Sequence, residues 1–179
     1  MLTTYNFYSV TQSEPSKMWI TSDTGKVYKS TNGGNNWDSV YVNSGQTLNT
    51  IYFINQNTGW IGGENGTIRK TTNGGANWVN QPANSSRVST FSFINSLTGW
   101  AAGNELGKTT NGGVSWIDEN IFEPAFDVWF VNDQTGFASY PNNVNFTTNG
   151  GANWYHKFPE FSPYSFSDIY FVNQTTGWL

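Results

Sequence analysis

The sequence predicts an all-β fold: a β-propeller of four-stranded antiparallel blades, with four complete blades and the start of a fifth. Three observations support this. An eight-residue phrase recurs every 38 to 41 residues, a second aromatic marker alternates with it, and no segment shows sustained helical spacing of apolar residues. The length of 179 residues fits one domain of small repeated units, since a domain typically holds about 100–200 residues.

Composition predicts an aromatic core. Charged residues make up 11% of the chain, where globular proteins average about 25%, and aromatic residues make up 17%. Disordered chains show the opposite balance, with few aromatic and many charged residues. The chain is therefore expected to fold and to bury many large flat side chains.

Charge and cysteine content exclude several classes of function. Eight basic against twelve acidic residues give a net charge of −4, which argues against nucleic acid and anionic membranes as partners. No apolar stretch approaches the ~20 residues that span a bilayer, so no membrane insertion is expected, and the sequence shows no signal peptide. The absence of cysteine excludes disulfides and thiolate metal sites.

The recurring phrase, hereafter the octet, reads Ser/Thr-Thr-Asn-Gly-Gly-x-Asn/Ser-Trp and begins at residues 30, 71, 109 and 147. An Asn side chain accepts hydrogen bonds from following backbone N–H groups, and Gly adopts angles closed to other residues. We therefore predict that the octet is a structural staple between two strands. Its defining residues are Asn32, Trp37, Asn73, Trp78, Asn111, Trp116, Asn149 and Trp154.

The second marker is an aromatic residue that usually follows Thr-Gly: Trp19, Trp60, Trp100, Phe137 and Trp178. The segment before each later marker carries apolar residues on both faces of a strand, which predicts a strand packed between two other sheets. A polar turn, a second strand from the marker, a tight turn, a third strand, the octet and a fourth strand complete the unit.

Four strands in about 40 residues are typical of a propeller blade. We place the blades at about 5–44, 45–86, 87–122 and 123–163, with a partial fifth at 164–179, all in one propeller domain spanning 1–179. A β-helix or a sandwich is the alternative. The fifth unit stops within its second strand, so we expect a segment of a longer propeller or, as the alternative, completion by a second copy.

The octet resembles the Asp-box, or BNR repeat, of sialidase-like propellers, although Asn stands at the Asp position in every copy. Residues 59–78 are most similar to propellers of the photosystem II stability and assembly-factor type. The resemblance implies a non-catalytic scaffold that binds protein, with an extracytoplasmic location, either periplasmic or secreted. Asp-box propellers also include glycoside hydrolases, so glycan binding or hydrolysis is the alternative. Sialidases bind their substrate with three arginines, and this chain has two, Arg69 and Arg87.

Alternating hairpins place successive turns on opposite faces of a propeller. The octets share one face, the octet face, with the turns between first and second strands. The turns between second and third strands share the other, the loop face, with the blade-to-blade connections. Loops on a rigid frame often carry ligand sites, and the tips on the loop face hold Asp23, Glu64 and Glu105. Paired carboxylates would serve glycoside hydrolysis, but acidic residues beside Gly are also ordinary turn formers, which is the interpretation we favour.

The blade-to-blade connections supply the remaining candidates for partner contact, because aromatic residues dominate contact energies and stack on sugar rings. They are Phe122, His156, Phe158, Phe161 and Tyr164. The alternative is that these rings close gaps between blades. A single histidine excludes a multi-histidine metal centre, and no metal or other cofactor is expected.

Lys29, Lys70 and Lys108 precede three of the octets, where the fourth unit has Phe146. We expect them on a solvated strand face, paired with nearby carboxylates, with a ring of charge as the alternative. The sequence therefore predicts a non-catalytic propeller with a protein partner. Carbohydrate is the second partner class, and self-association through the open fifth blade is also predicted.

Overall fold

The computed structural model describes residues 5–42, 45–83, 85–119, 123–156, 166–173 and 175–178. Across these residues the chain is all-β, with strands grouped into antiparallel sheets. Blade 1 contains β1 (Phe7–Glu14), β2 (Lys17–Ser22), β3 (Lys26–Ser30) and β4 (Asp38–Tyr41). Blade 2 contains β5 (Leu48–Phe53), β6 (Gly59–Gly63), β7 (Ile68–Thr71) and β8 (Val79–Gln81).

The later blades repeat the pattern. Blade 3 contains β9 (Val88–Phe93), β10 (Gly99–Gly103), β11 (Gly107–Thr109) and β12 (Ile117–Asp118). Blade 4 contains β13 (Asp127–Phe130), β14 (Gly136–Ser139), β15 (Val144–Thr147) and β16 (Tyr155–His156). A two-stranded sheet of β17 (Tyr170–Phe171) and β18 (Gly177–Trp178) begins the fifth. The predicted fold class, four complete blades and the start of a fifth, is confirmed.

Within each complete blade the four strands are neighbours in chain order. The first strands of blades 1 to 4 pack side by side, so they surround the axis of the propeller. The second strands of blades 2 and 3, β6 and β10, are buried along their whole length, while the fourth strands are mostly exposed. Burial therefore falls from the inner strands to the rim, as the apolar pattern of the inner strands predicts.

The two faces of the propeller are held by backbone hydrogen bonds at the hairpin tips. On the octet face, the Gly74 amide donates to the Asn57 carbonyl at 2.9 Å. On the loop face, the Gly66 amide at the tip of blade 2 donates to the Ser86 carbonyl in the connection to blade 3, also at 2.9 Å. The tips on the loop face are therefore fixed to the connections beside them.

Neighbouring blades are joined by stacked aromatic rings. The marker of each blade lies nearly parallel to a phenyl ring on the first strand of the next blade. Centroid separations are 5.3 Å for Trp19 with Phe53, 3.7 Å for Trp60 with Phe93, 3.3 Å for Trp100 with Phe130 and 3.8 Å for Phe137 with Phe171. Trp19, Trp60 and Trp100 are fully buried. The predicted aromatic core is therefore a series of interfaces between blades.

The octets contribute the edges of these interfaces. The ring of Trp78 meets Trp19 and Phe53 edge-on, at interplanar angles of 86° and 81°. The second octet glycine lies beneath the preceding marker: Gly75 has φ of +76°, and a Cβ there would lie 2.2 Å from the Trp19 ring. Glycine is needed at this position for both its backbone angle and its size.

The three repeated lysines differ from the sequence-based expectation. The Nζ atoms of Lys29, Lys70 and Lys108 lie over the rings of the marker tryptophans of their own blades, 4.9 to 5.2 Å from the ring centroids. Lys70 Nζ also donates to the Gly112 carbonyl in the next octet at 2.8 Å. All three ammonium groups therefore make cation–π contacts within their own blades. Lys70 and Lys108 also connect their blades to the next octet through carbonyl contacts.

The expected pairing with carboxylates is not the main contact of these three lysines. Lys108 Nζ donates to the Gly150 carbonyl at 2.8 Å and also influences Glu119 nearby. Burial raises the pKa of the Glu119 carboxyl, and the positive charge of Lys108 offsets part of that effect.

Apolar side chains are exposed on the first strand of blade 1 and on the fifth sheet. Val10 is 60% exposed, whereas its counterpart Ile51 in blade 2 is 3% exposed. Phe7, Tyr170 and Trp178 are also at least half exposed. These two surfaces carry the residue types that are buried between blades elsewhere in the propeller.

Candidate functional site

The four octets share one hydrogen-bond pattern. In blade 2, Asn73 Oδ1 accepts from the Asn77 amide at 2.9 Å and from the Thr71 hydroxyl at 3.0 Å. Thr71 Oγ1 accepts in turn from the Gly75 amide at 2.9 Å. The octets of blades 1, 3 and 4 repeat these bonds through Asn32, Asn111 and Asn149. The asparagine oxygens are therefore occupied by their own turns.

The acidic residues at the tips of the loop face have separate local partners. Asp23 Oδ2 accepts from the backbone and side-chain nitrogens of Asn6, at 3.2 and 2.9 Å. Glu64 Oε1 accepts from Asn49 Nδ2 at 2.9 Å and forms an ion pair with Arg87 Nε at 3.2 Å. The structure places Asp23 and Glu64 in different blades, and each carboxylate ties its tip to a neighbouring segment of the chain.

Glu105 differs from the other two tip residues. Its Oε2 atom is buried and has no hydrogen-bond partner among the described residues. The Glu105 amide donates to the Ser85 hydroxyl at 3.3 Å, which ties the tip of blade 3 to the connection before it. None of the three tip carboxylates lines the axial pocket described below.

The aromatic candidates lie largely beyond what the structure describes. Phe122, Phe158, Phe161 and Tyr164 fall outside the described residues. His156, expected in a connection, instead ends β16 on the exposed outer edge of blade 4, opposite Asn145 of β15. The reason is that pairing with β15 continues through the residue.

A pocket of about 470 Å³ lies on the axis of the propeller. Its lining comes from the first strands of blades 1 to 4 and from the segment 168–170, so all five units contribute to it. This volume is within the range of small-molecule and side-chain sites. Because every unit of the propeller contributes to its wall, this pocket is our candidate binding site.

Polar residues form a ring around this pocket. Each stands ten residues before the aromatic marker of its unit, so the five positions are equivalent: Ser9, Thr50, Thr90, Asp127 and Asp168. Sequence reasoning missed the ring because it examined only the apolar positions of the first strands. Counting one residue further back from each marker would have found it.

Asp127 has the densest contacts of the ring. Its Oδ1 accepts from the Val128 amide and its Oδ2 from the Ile169 amide, both at 2.8 Å. Burial, and then a hydrogen bond with the Asp168 carboxyl, raise the pKa of Asp127 to about 7, while hydrogen bonds from Ile169, Thr90 and Val128 act in the opposite direction. A buried carboxyl beside a second one favours the neutral form, because both desolvation and like charge penalise ionisation.

Aromatic side chains form part of the pocket wall. The rings of Trp129 and Tyr170 lie 4.8 Å apart, tilted by 59°, and Tyr170 is 50% exposed. The Tyr52 hydroxyl donates to the Phe93 carbonyl at 3.0 Å, and burial raises the pKa of this phenol. The site therefore combines hydrogen-bonding groups with flat apolar surfaces.

Clusters of metal ligands and membrane-spanning helices are both missing from the described residues. Between residues 5 and 178, gaps excepted, no group of three or more His, Cys, Asp or Glu side chains is arranged to hold a metal ion. The part of the chain that the structure describes has no helix of the length and apolarity needed to cross a bilayer.

Comparison with known sequences identifies the type of repeat. Residues 35–123 match the family described as photosynthesis system II assembly factor YCF48. No curated protein sequence matches the chain.

Solved structures share the fold. A structure of YCF48 bound to D1 peptide is similar with a TM-score of 0.61 and 12% identity, over 98% of this chain and 90% of that one. YCF48 from Cyanidioschyzon merolae gives a TM-score of 0.56 at 12% identity, over 97% and 91% of the two chains. An ancestral GH74 enzyme gives 0.68 at 22% identity over 83% of this chain, but only 23% of the enzyme is covered.

These similarities, together with the sheets described above, define the class of protein as a β-propeller. More particularly, the chain is a propeller of BNR-type repeats that resembles the photosystem II assembly factors. The resemblance inferred from the octets is confirmed. The region similar to this chain covers nearly the whole of each YCF48 structure, but only about a quarter of the GH74 enzyme.

Proposed function

We propose that this propeller is a non-catalytic scaffold that binds a polypeptide segment over the axial pocket. The observation that carries the proposal is the pocket itself: every blade presents a polar side chain to it, and Trp129 and Tyr170 form part of its wall. A peptide offers backbone N–H and C=O groups to the polar ring and apolar side chains to the aromatic wall. The two sets of groups are complementary.

The size of the site agrees with this use. A space of about 470 Å³ accommodates a few side chains, and aromatic anchors in such pockets contribute much of the affinity of protein interfaces. YCF48, the similar propeller, has been solved bound to a peptide of D1. That precedent supports peptide binding as the function of this fold in the present chain, without identifying the partner.

The acidic pair in the pocket does not fit glycoside hydrolysis. Retaining enzymes hold their two carboxyl groups about 5–5.5 Å apart and inverting enzymes about 6.5–9.5 Å apart. Both oxygens of Asp127 instead accept from backbone amides, those of Val128 and Ile169, so this carboxyl already holds the protein's own backbone. We therefore propose a binding role for the site.

The test is selection from a displayed random-peptide library on the purified chain, followed by hydrogen exchange on the complex. We expect the bound peptide to protect amides of the inner strands, including Thr50 to Tyr52 and Val128 to Phe130, and to leave the outer strand β8 unchanged. Protection confined to outer strands or to the octet face would contradict the proposal.

Glycan binding is the second candidate, favoured by the Trp129–Tyr170 wall because sugar rings stack on aromatic faces. The GH74 neighbours, which include a xyloglucanase from Xanthomonas campestris, share the fold. The discriminating experiment is a glycan array that contains xyloglucan oligosaccharides. Specific glycan binding at the axial pocket, with no selected peptide, would replace the peptide proposal.

We also propose an extracytoplasmic location, on the basis of the resemblance to assembly factors, and self-association through the exposed side chains of Val10 and Trp178. Fractionation of the native source tests the location. Sedimentation analysis of the chain across a hundredfold range of concentration tests the association: we expect a dimer at high concentration that the Trp178→Ser variant weakens. A strict monomer would contradict the second proposal.

A further inference from the structure

We propose that the carboxyl pair of Asp127 and Asp168 is a pH-sensitive clasp that holds the fifth sheet on blade 4 while the pair shares a proton, and loosens it once both groups are ionised. The proposal is independent of the polypeptide-binding function. It concerns the chain's own conformation and can be tested without a partner.

The geometry places Asp127 where three blades meet. It belongs to β13 of blade 4, accepts from the Ile169 amide of the fifth unit at 2.8 Å, and shares the pocket lining with Thr90 of blade 3. The Asp168 carboxyl, one residue before Ile169, completes the cluster. A change in the charge of Asp127 therefore acts directly on the contact between blade 4 and the fifth sheet.

The equivalent junction between blades 1 and 2 uses an uncharged group. There, Ser9 Oγ accepts from the Ile51 amide at 3.4 Å, and these residues occupy the same repeat positions as Asp127 and Ile169. A hydroxyl does not titrate in the range where carboxyls do. The chain thus contains an internal control: the same backbone contact, made once by a hydroxyl and once by a carboxyl.

The junction of blade 4 with the fifth sheet also lacks the cation found at the earlier junctions. Phe146 stands where Lys29, Lys70 and Lys108 lie over tryptophan rings, and the marker is Phe137. The stack of Phe137 on Phe171 and the tilted contact between Trp129 and Tyr170 hold the two-stranded sheet. The state of the carboxyl pair acts on a hydrogen bond that joins these two sheets, from the Ile169 amide to Asp127.

No positive charge faces the pair within the described lining of the pocket. The ionisable side chains there are Asp127, Asp168, Tyr52 of β5 and Tyr170; β1 contributes Ser9, Val10 and Thr11, and β9 contributes Thr90 and Phe91. Ser139 of β14 lies opposite Asp127 in the sheet register. A second ionisation therefore places two negative charges together with no counter-ion among these groups.

The direction of the pH dependence follows from the raised pKa of Asp127. Burial, with the hydrogen bond to Asp168, raises the pKa of Asp127 to about 7 from 3.8. The folded state therefore retains a proton that the unfolded chain loses at lower pH, and the stability it provides is present at acidic pH and declines as pH rises through 7. The clasp is closed at acidic to neutral pH and loosened at alkaline pH.

The test is hydrogen exchange of the full chain at pH 5.5 and pH 8.5, with rates corrected for intrinsic exchange. We expect the protection factor of the Ile169 amide to fall about tenfold or more at pH 8.5, since one pKa unit corresponds to a factor of ten. The Ile51 amide is the internal control and should change less than twofold. Asp127→Asn keeps an oxygen acceptor but cannot ionise, so it should remove the pH dependence.

Three outcomes would overturn the proposal: protection of Ile169 that does not depend on pH, an equal fall at Ile51, or an unchanged pH dependence in Asp127→Asn. Should Asp127→Asn fail to fold, Asp168→Asn provides the same test from the exposed member of the pair. It removes the neighbouring carboxyl but not the burial of Asp127, so the pH dependence of Ile169 protection should become smaller without disappearing. A pH dependence of undiminished size in Asp168→Asn would overturn the clasp.

Discussion

The indole ring of Trp60 lies flat on the phenyl ring of Phe93 in the next blade, with centroids 3.7 Å apart and planes 12° apart. Both side chains are buried. Lys70 covers the indole with its ammonium group, 5.2 Å from the ring centroid, and Trp60 Nε1 donates to the Gly112 carbonyl at 3.1 Å. This assembly of ring, ring, cation and carbonyl joins blades 2 and 3 and has close counterparts elsewhere in the propeller.

Removing the stacked indole should destabilise the whole domain. We expect Trp60→Leu to lower the free energy of unfolding by about 3 kcal/mol, because the substitution leaves a cavity between two blades. Urea denaturation measures the change. Trp178→Leu is the matched control: that indole is 61% exposed, and its replacement should change the free energy of unfolding by less than about 0.5 kcal/mol. Equal losses in the two variants would contradict the role of the stack.

Lys70 should stabilise the fold without an acidic partner. Lys70→Met keeps much of the aliphatic stem but removes the contacts of the ammonium group with the Trp60 ring and the Gly112 carbonyl. We expect a loss of about 1–2 kcal/mol in the free energy of unfolding. Lys26→Met provides the comparison, for which we expect little change. A loss for Lys70→Met that disappears at high salt would indicate ion pairing instead, since exposed ion pairs are strongly screened.

We propose that the octet asparagines are structural. Asn73→Ala should cost about 1–2 kcal/mol in unfolding free energy through the lost hydrogen bonds of Oδ1, while peptide binding survives. Asn73→Asp should restore stability because it keeps the acceptor, and Asn77→Ala is the exposed control. An Asn73→Ala variant with unchanged melting temperature and abolished binding would show that the residue acts in recognition.

Two octet glycines should respond differently to the same substitution. At Gly33, with φ of +69°, a new Cβ meets nothing within 4 Å, so Gly33→Ala should cost only the backbone strain of about 1–2 kcal/mol. Gly75→Ala adds a clash with the Trp19 ring at 2.2 Å and should be clearly more destabilising in thermal denaturation. Similar melting temperatures for both variants would contradict the packing of Gly75 against the Trp19 ring.

The repeat made much of the fold predictable. The spacing of octets and markers predicts the four-stranded units, and the strand order predicts which turns share a face with Asn73 or with Glu64. The contacts between blades were harder to predict from the sequence. Lys70, for example, donates to the Gly112 carbonyl of the next unit, and that contact depends on how two blades pack together. The lysines were expected beside carboxylates for that reason.

The candidate site was predicted less well than the fold. Attention to acidic turn residues favoured Asp23, Glu64 and Glu105, whose side chains stay outside the axial pocket. The polar ring varies between hydroxyl and carboxyl, so it shows no fixed motif. The ring residues share only their position within the unit. That shared position indicates a binding site only once the structure shows that the first strands surround one axis.

The most direct test of peptide binding over the axis is the affinity of a selected peptide for two tyrosine variants, measured by isothermal titration. Tyr170 lines the axial pocket, and Tyr155 lies on the outer strand of blade 4; they are similarly exposed, at 50% and 53%. Binding at the axial pocket predicts that Tyr170→Ala weakens affinity about tenfold or more, as for an aromatic anchor, and that Tyr155→Ala leaves it unchanged. Equal affinity of Tyr170→Ala and the unaltered chain, or a loss confined to Tyr155→Ala, would contradict binding at this pocket.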